Sequence, residues 1–370
     1  MRCPRQQCPW RPSRRAGLAL IADVTILFIL LLISQPAAVA QGSRSSAPRY
    51  KVSDLGPIQT IASDLVPGLN SSGDAVIWRQ DESLAFAPVL ISGHQQIPLK
   101  IPQGYRNSFA YSINDKRNAV GWANTTLNPV DSLSITHAFL FAHDQATDLG
   151  TLGGSSSRAY AINNRDMIVG VSELANQQQQ AFRYVDGKMS PLAPLPGGQS
   201  SVAFAVNDQG TVVGGSEVPH TESVKVAVHA VLWRNGVPSD IGVLRPNGNS
   251  VAHAINNHDE VVGTADGLAG KTVFLYRNGR MSDLGIQRGR AFAINDKGQV
   301  VGTQQVGEDR HPHSLGFLWD HGNLYDLNGC LPKSSPYHIQ EAFRINNAGQ
   351  ILGAGVFEDQ LHALLLTPAN

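Results

Sequence analysis

The chain has 370 residues, with 29 Lys and Arg against 29 Asp and Glu, and 3 Cys; that is more than one typical small domain. Five of the arginines (Arg2, Arg5, Arg11, Arg14, Arg15) and one aspartate (Asp23) lie in the first forty residues, which leaves 24 basic against 28 acidic groups and a formal charge of −4. This balance excludes the clustered basic footprint of a nucleic-acid binder, and Cys330, alone once Cys3 and Cys8 are set aside, excludes an internal disulfide framework.

Residues 1–40 read as an export signal: the arginines, an apolar run broken by Asp23 and Thr25, then small residues at Ala38 and Ala40, with cleavage expected after Ala40. The alternative is an uncleaved membrane anchor, since the run from Ala16 to Ile33 approaches spanning length. Residues 41–48 form a short polar tether, and no later segment is apolar enough to span a membrane, so no membrane contact is expected after cleavage. The predicted location is secreted or periplasmic.

From residue 49 the sequence repeats itself. "SINDKRNAVG" at 112–121 recurs as "AINNRDMIVG", "AVNDQGTVVG", "AINNHDEVVG", "AINDKGQVVG" and "RINNAGQILG", with a weaker "GLNSSGDAVI" from Gly68. The anchoring asparagines are Asn70, Asn114, Asn163, Asn207, Asn256, Asn295 and Asn346. Each copy predicts a β-hairpin: a short apolar strand, a turn rich in Asn, Asp and Gly, then a β-branched strand. Gly or Asp stands three after the anchor in six copies and Arg117 in the other, which suits a left-handed turn whose amides the Asn side chain can bond. On this reading Asp296 and Lys297 are solvated turn residues, not a phosphate or metal loop.

Two more strands complete each unit: an apolar one, such as "HAFLFA" from His137 or "HAVLW" from His229, and a short one, such as "TDLG" from Thr147 or "SDLG" from Ser282. Four short strands in 40 to 50 residues predict a propeller blade. The fold expected is therefore all-β, a seven-bladed β-propeller with four-stranded blades over 49–370. The last unit lacks its fourth strand, and "YKVSDLG" at 50–56 stands unused before the first; pairing of the two would close the ring and remove an exposed edge. The small residue four before the anchor (Ala110, Ala159, Ala203, Ala252, Ala291, Ala342; Val66 in the first copy) is expected against a crowded central channel. Phe139, Phe182, Trp233, Phe274, Phe317 and Trp319 are expected between blades, and Trp78 and Trp122 in plain core packing.

These elements resemble the HAF-family extracellular repeat of bacterial exported proteins, through "HAF" at His137, Ala138 and Phe139 and "DLGTLGG" from Asp148 to Gly154. The resemblance covers residues 49–370 and implies an exported bacterial repeat protein, with no reaction attached. The first unit departs from it most, having Ile77 where the other copies have the glycine of "VVG".

No catalytic motif, cofactor motif or metal-ligand spacing stands out. His137, His229 and His362 recur with the repeat and read as structural, and "DRHPH" at 309–313 reads as a solvated loop. Function is then expected on one rim, where the loops between second and third strands are long in units two, four and six. The candidate binding residues are His220, Glu222, Glu308, Asp309, Arg310 and His311, with Arg288, Arg290 and Tyr337 from adjoining loops. A monomeric binding or scaffolding module for a protein or polysaccharide is expected. The alternatives are a carbohydrate-active hydrolase or lyase, which would need paired carboxylates not found at equivalent positions, and a structural surface protein without a ligand.

Overall fold

A computed structural model describes residues 47–59, 66–80, 82–125, 135–219, 227–307 and 313–369. The expected signal and most of the tether lie outside them, as do His220, Glu222, Glu308, Asp309, Arg310 and His311.

The described chain forms seven four-stranded antiparallel sheets, spanning 68–98, 107–148, 153–191, 201–240, 250–287, 289–326 and 338–368. The strand order in six of them is sequential, so each is a meander whose first strand lies innermost. In the seventh, the N-terminal strand Tyr50–Pro57 pairs with Gln360–Pro368, from Tyr50 opposite Pro368 to Pro57 opposite His362. Innermost strands touch their neighbours around the ring, the last meeting the first. The molecule is a closed seven-bladed β-propeller, and its helical content among the described residues is one 3-10 turn, Leu327–Cys330.

Each junction between blades holds its own apolar cluster, because both faces of a blade's sheet are covered. Ala138 and Val120 of the second blade meet Ala159, Ile168 and Phe182 of the third; Val213 and Leu232 of the fourth meet Ala252 and Phe274 of the fifth. Tyr50 completes the cluster between sixth and seventh blades, and Leu55 the one between seventh and first. Cys330 is buried in the former, and burial first, then Asp326, pushes its thiol up to about 11.

The small residue before the anchor has a different role from the one expected. Ala110, Ala159, Ala203, Ala252, Ala291 and Ala342 are fully buried in the blade junctions and do not line the channel. Every one sits opposite the glycine of the next strand, as Ala291 does Gly302 and Ala252 does Gly263, and the register slips by one residue immediately afterwards. That slip is a β-bulge, which turns the next side chain aside. It also drives a carbonyl against the second strand: a Cβ on Gly302 would collide with the Arg290 carbonyl and with the Phe317 ring. The glycine of "VVG" follows from that crowding.

The anchors form a closed circuit. In all seven turns the Asn side-chain oxygen accepts the backbone N–H four residues on, as from Asp74 to Asn70 (2.8 Å) and from Gln299 to Asn295 (3.0 Å). All seven residues at the third position after the anchor have positive φ, from Asp259 at 57° to Gly73 at 85°. The side-chain amide then donates to the backbone carbonyl of the next anchor: Asn70 to Asn114, Asn114 to Asn163, and so on until Asn346 donates to Asn70 at 3.1 Å.

A second belt lies beside the first, made by the residue after each anchor. Its backbone N–H donates to the side-chain oxygen of its counterpart in the next blade, from Ser71 to Asp115 through to Asp296 with Asn347. Asp296 is therefore not the solvated turn residue expected. Its carboxylate accepts from the Asn257 backbone (2.8 Å) and from the amides of Asn257 (3.1 Å) and Asn347 (2.7 Å), while Lys297 is exposed. Asp296→Ala is expected to cost about 1 kcal/mol, and Lys297→Ala to be nearly silent; equal melting temperatures for the two variants would contradict the belt.

The same contacts set a pH dependence. Burial alone would raise the carboxyl groups of Asp74, Asp166, Asp259 and Asp296, but hydrogen bonds to them outweigh it and hold all four below their ordinary range. The unfolded chain then takes up protons at higher pH than the folded one, so this stabilisation is complete above the ordinary carboxylate range and is lost as pH falls through the folded values. Thermal melts are expected to be flat in this respect above about pH 5 and to drop steeply below about pH 4. Asp296→Ala should flatten the acid limb; an unchanged limb would rule its carboxylate out as a contributor.

Candidate functional site

The bulge that displaces the register in each inner strand also builds the channel wall. The bulged residue, three before the anchor, is Tyr111, Tyr160, Phe204, His253, Phe292 and Phe343 in the second to seventh blades. Five of these line a cavity of about 470 Å³ at the end of the channel away from the Asn circuit, and Phe343 packs instead with Phe292 in the junction beneath. Ring centroids follow one another around the wall: Tyr111 to Tyr160 at 6.0 Å, Tyr160 to Phe204 at 5.4 Å, Phe204 to His253 at 5.8 Å. Sequence reasoning missed this arc. Its signal was present, since an aromatic residue or histidine precedes the anchor by three in six of seven copies.

Cations stand among the rings. Arg158 lies over Trp122 and Arg290 over Phe292, each 5.0 Å from the ring centroid, and both line the cavity. A second hollow, of about 700 Å³, shares Phe204, His253, Arg290 and Phe292 with the first and adds Lys271 and Arg288. Burial first, then Arg290 and Lys271, holds the His253 imidazole down to about 3, although one edge of it still meets the lumen. It is neutral at ordinary pH, with Nε2 3.2 Å from the Thr264 hydroxyl. Among the described residues, Glu173 is the carboxylate lining the first cavity and Glu341 the one lining the second; burial raises the Glu341 carboxyl against the opposing pull of Arg290.

Arg344 is the least regular member of the wall. Its position in the repeat is filled by Gly68, Ser112, Ala161, Ala205, Ala254 and Ala293 in the other blades. The guanidinium donates to its neighbour's carbonyl, Phe343 (3.0 Å), and across the first blade to the Tyr111 carbonyl of the second (3.3 Å). It can reach that far because the first blade's inner strand is only Gly68–Leu69. Burial lowers the Arg344 side chain to about 10, and it too keeps a partly exposed edge on the lumen.

The cavity opens on the rim singled out from the sequence, among the starts of first and third strands: Ser156, Ser157, Thr136 and Gln179. Of the described rim candidates, Arg288 and Arg290 border the hollows, whereas Tyr337 does not. Its hydroxyl is 3.2 Å from Asp54 and its ring 5.2 Å from Phe357, within the closing blade. The recurring histidines are also tied down. His137 meets Asp148 at 2.7 Å, His229 meets Asp240 at 2.7 Å, and His362 meets Asp54 at 2.8 Å. Each of these aspartates uses its other oxygen to accept the backbone N–H of the glycine two residues on, which is the physical content of "DLG".

No protein-family model and no curated sequence matches the chain. Solved structures do. The β-propeller domain of the Trilobed protease from Pyrococcus furiosus, described as having an open velcro topology, is 11% identical with a TM-score of 0.53, over 87% of this chain and 96% of that one. A puromycin-hydrolyzing peptidase of Mycobacterium tuberculosis gives 11% and 0.53 over 88% of this chain, and Pyrococcus horikoshii acylaminoacyl peptidase 11% and 0.50 over 81%; the chain spans about half of each of those two, 54% and 50%. At such identity the likeness extends to the fold alone: this chain is similar to peptidase-associated propellers in its backbone, with its own closure by the N-terminal strand.

Proposed function

We propose that the chain is an exported, non-catalytic binding module that takes a saccharide into the mouth of its channel. The observation that carries this reading is the arc of aromatic faces in a concave cavity of about 470 Å³, interleaved with arginines. Small-ligand sites are concave, largely apolar and fitted with a few polar groups, whereas a docked protein would meet a broader surface. Among the described residues each hollow is lined by one carboxylate, Glu173 in the first and Glu341 in the second, which favours binding over paired-acid hydrolysis. Export is supported by the arginine, apolar and small-residue order of residues 1–40. Full-length protein applied to an array of neutral and acidic glycans should retain a subset of them, and Tyr160→Ala with Phe204→Ala should abolish retention while the protein stays folded. Retention by the double variant equal to the parent would move the site elsewhere.

A further inference from the structure

Resting on that saccharide reading, we propose that the ligand is a sugar acid, whose carboxylate is bound in the channel by Arg344 together with Arg158. The position of Arg344 in the repeat otherwise holds glycine, serine or alanine, so the fold does not require a long side chain there. Two backbone carbonyls engage its guanidinium, which has five N–H donors. Carbonyl oxygens satisfy hydrogen bonds but leave the positive charge uncompensated, and no carboxylate lies within ion-pairing distance of it among the described residues. A cation out of water without a counter-ion is costly.

The rest of the wall fits the same ligand. Arg158 borders the same cavity and is held over the Trp122 ring, which fixes its plane without neutralising it. The planar fork of an arginine matches a carboxylate in two parallel hydrogen bonds. His253, neutral there, can donate or accept to a ring hydroxyl. Tyr160 and Phe204 supply flat apolar faces for the C–H side of the sugar ring. A purely bridging role for Arg344, tying the seventh blade to the second across the short inner strand of the first, accounts for its two backbone bonds but predicts no ligand.

The test is isothermal titration of the full-length chain with digalacturonate, with its methyl ester, with neutral digalactose and with inorganic sulfate, alongside thermal shift. Digalacturonate should bind and raise the melting temperature, and the ester and the neutral sugar should bind at least about tenfold more weakly, since hydrogen bonds to a charged group are the ones lost. Arg344→Lys should weaken digalacturonate by about tenfold or more and leave digalactose unchanged. Because Arg344 variants could perturb the blade junction, Arg158→Gln, at an exposed position, is the second variant and should show the same selective loss. Equal binding of acid, ester and neutral sugar would overturn the sugar-acid assignment and leave the saccharide module standing. Sulfate binding as tightly as digalacturonate would overturn it in favour of a simple anion site, and no binding by any saccharide would overturn both readings.

Discussion

A full-length chain from which residues 47–57 are deleted should melt more than about 10 °C lower than the parent and aggregate on heating. The deleted strand supplies Tyr50 and Leu55, 3% and 8% exposed, to two separate blade junctions. Burial of side chains of this size contributes about 1.5–3 kcal/mol each. Its whole ladder with Gln360–Pro368 is lost as well, together with the Asp54 contacts to His362 and Tyr337. A loss on the order of 5 kcal/mol is a large part of the stability of an ordinary domain, and at this size it corresponds to the stated shift. The bared edge of Gln360–Pro368 then offers unpaired backbone groups to another chain. Melting curves with simultaneous light scattering decide the matter. A deletion variant that melts with the parent would mean that the inner strands alone hold the ring closed.

Asn295→Ala should cost about 3 kcal/mol, more than any single surface change. The side-chain oxygen accepts from Lys297 (3.1 Å) and Gln299 (3.0 Å), and its amide donates to the Asn346 carbonyl (3.0 Å) and to the Gln299 side chain (2.9 Å). The residue is 3% exposed, so the amides it abandons are left without a partner in a site that water reaches poorly. Each buried group left unsatisfied costs about 1–3 kcal/mol. Asn295→Asp separates the two halves of the role: it keeps the acceptor for the turn and replaces the donor by a carboxylate facing a carbonyl. If bracing between blades matters, Asp should be nearly as damaging as Ala at neutral pH and should recover as the pH is lowered and the carboxyl group protonates. Chemical denaturation of the three proteins at two pH values measures both parts, and a harmless Asp variant would reduce the Asn circuit to seven independent turns.

Most of the architecture was readable because the repeat states it seven times. Blade number, strand count and the pairing of 50–56 with the last blade all follow from which elements recur and which is missing at each end. The buried aromatics between blades, Phe139, Phe182, Trp233, Phe274 and Phe317, were likewise legible from their place in the third strand. What strand alternation could not show was the bulge. A period of two assigns Ala291 and Phe292 to opposite faces, but the one-residue slip sends the alanine into the junction and the phenylalanine into the channel. The channel wall went unread for the same reason: long loops drew notice to the rim, while the aromatic arc and Arg344 lie inside short strands that read as core. Nor does a single hairpin reveal what its neighbour's asparagine donates to, so Asp296 looked solvated when two other blades hold it.

The belt beside the Asn circuit has an arithmetic of its own. Going round from the second blade, its members are Asp115, Asn164, Asp208, Asn257, Asp296 and Asn347, acid and amide in strict alternation. Asn164 donates to both Asp115 and Asp208, and Asp296 receives both Asn257 and Asn347. Two kinds of neighbour cannot alternate around an odd ring, and the mismatch falls on Ser71, neither acid nor amide, in the irregular first blade. The spacing of the anchors runs 44, 49, 44, 49, 39 and 51 residues, the shorter step always leading to an acid and the longer to an amide. The unit of this molecule is thus a pair of unlike blades. A single blade inserted between two of these six would set two carboxylates, or two amides, side by side; a pair inserted there would keep the alternation.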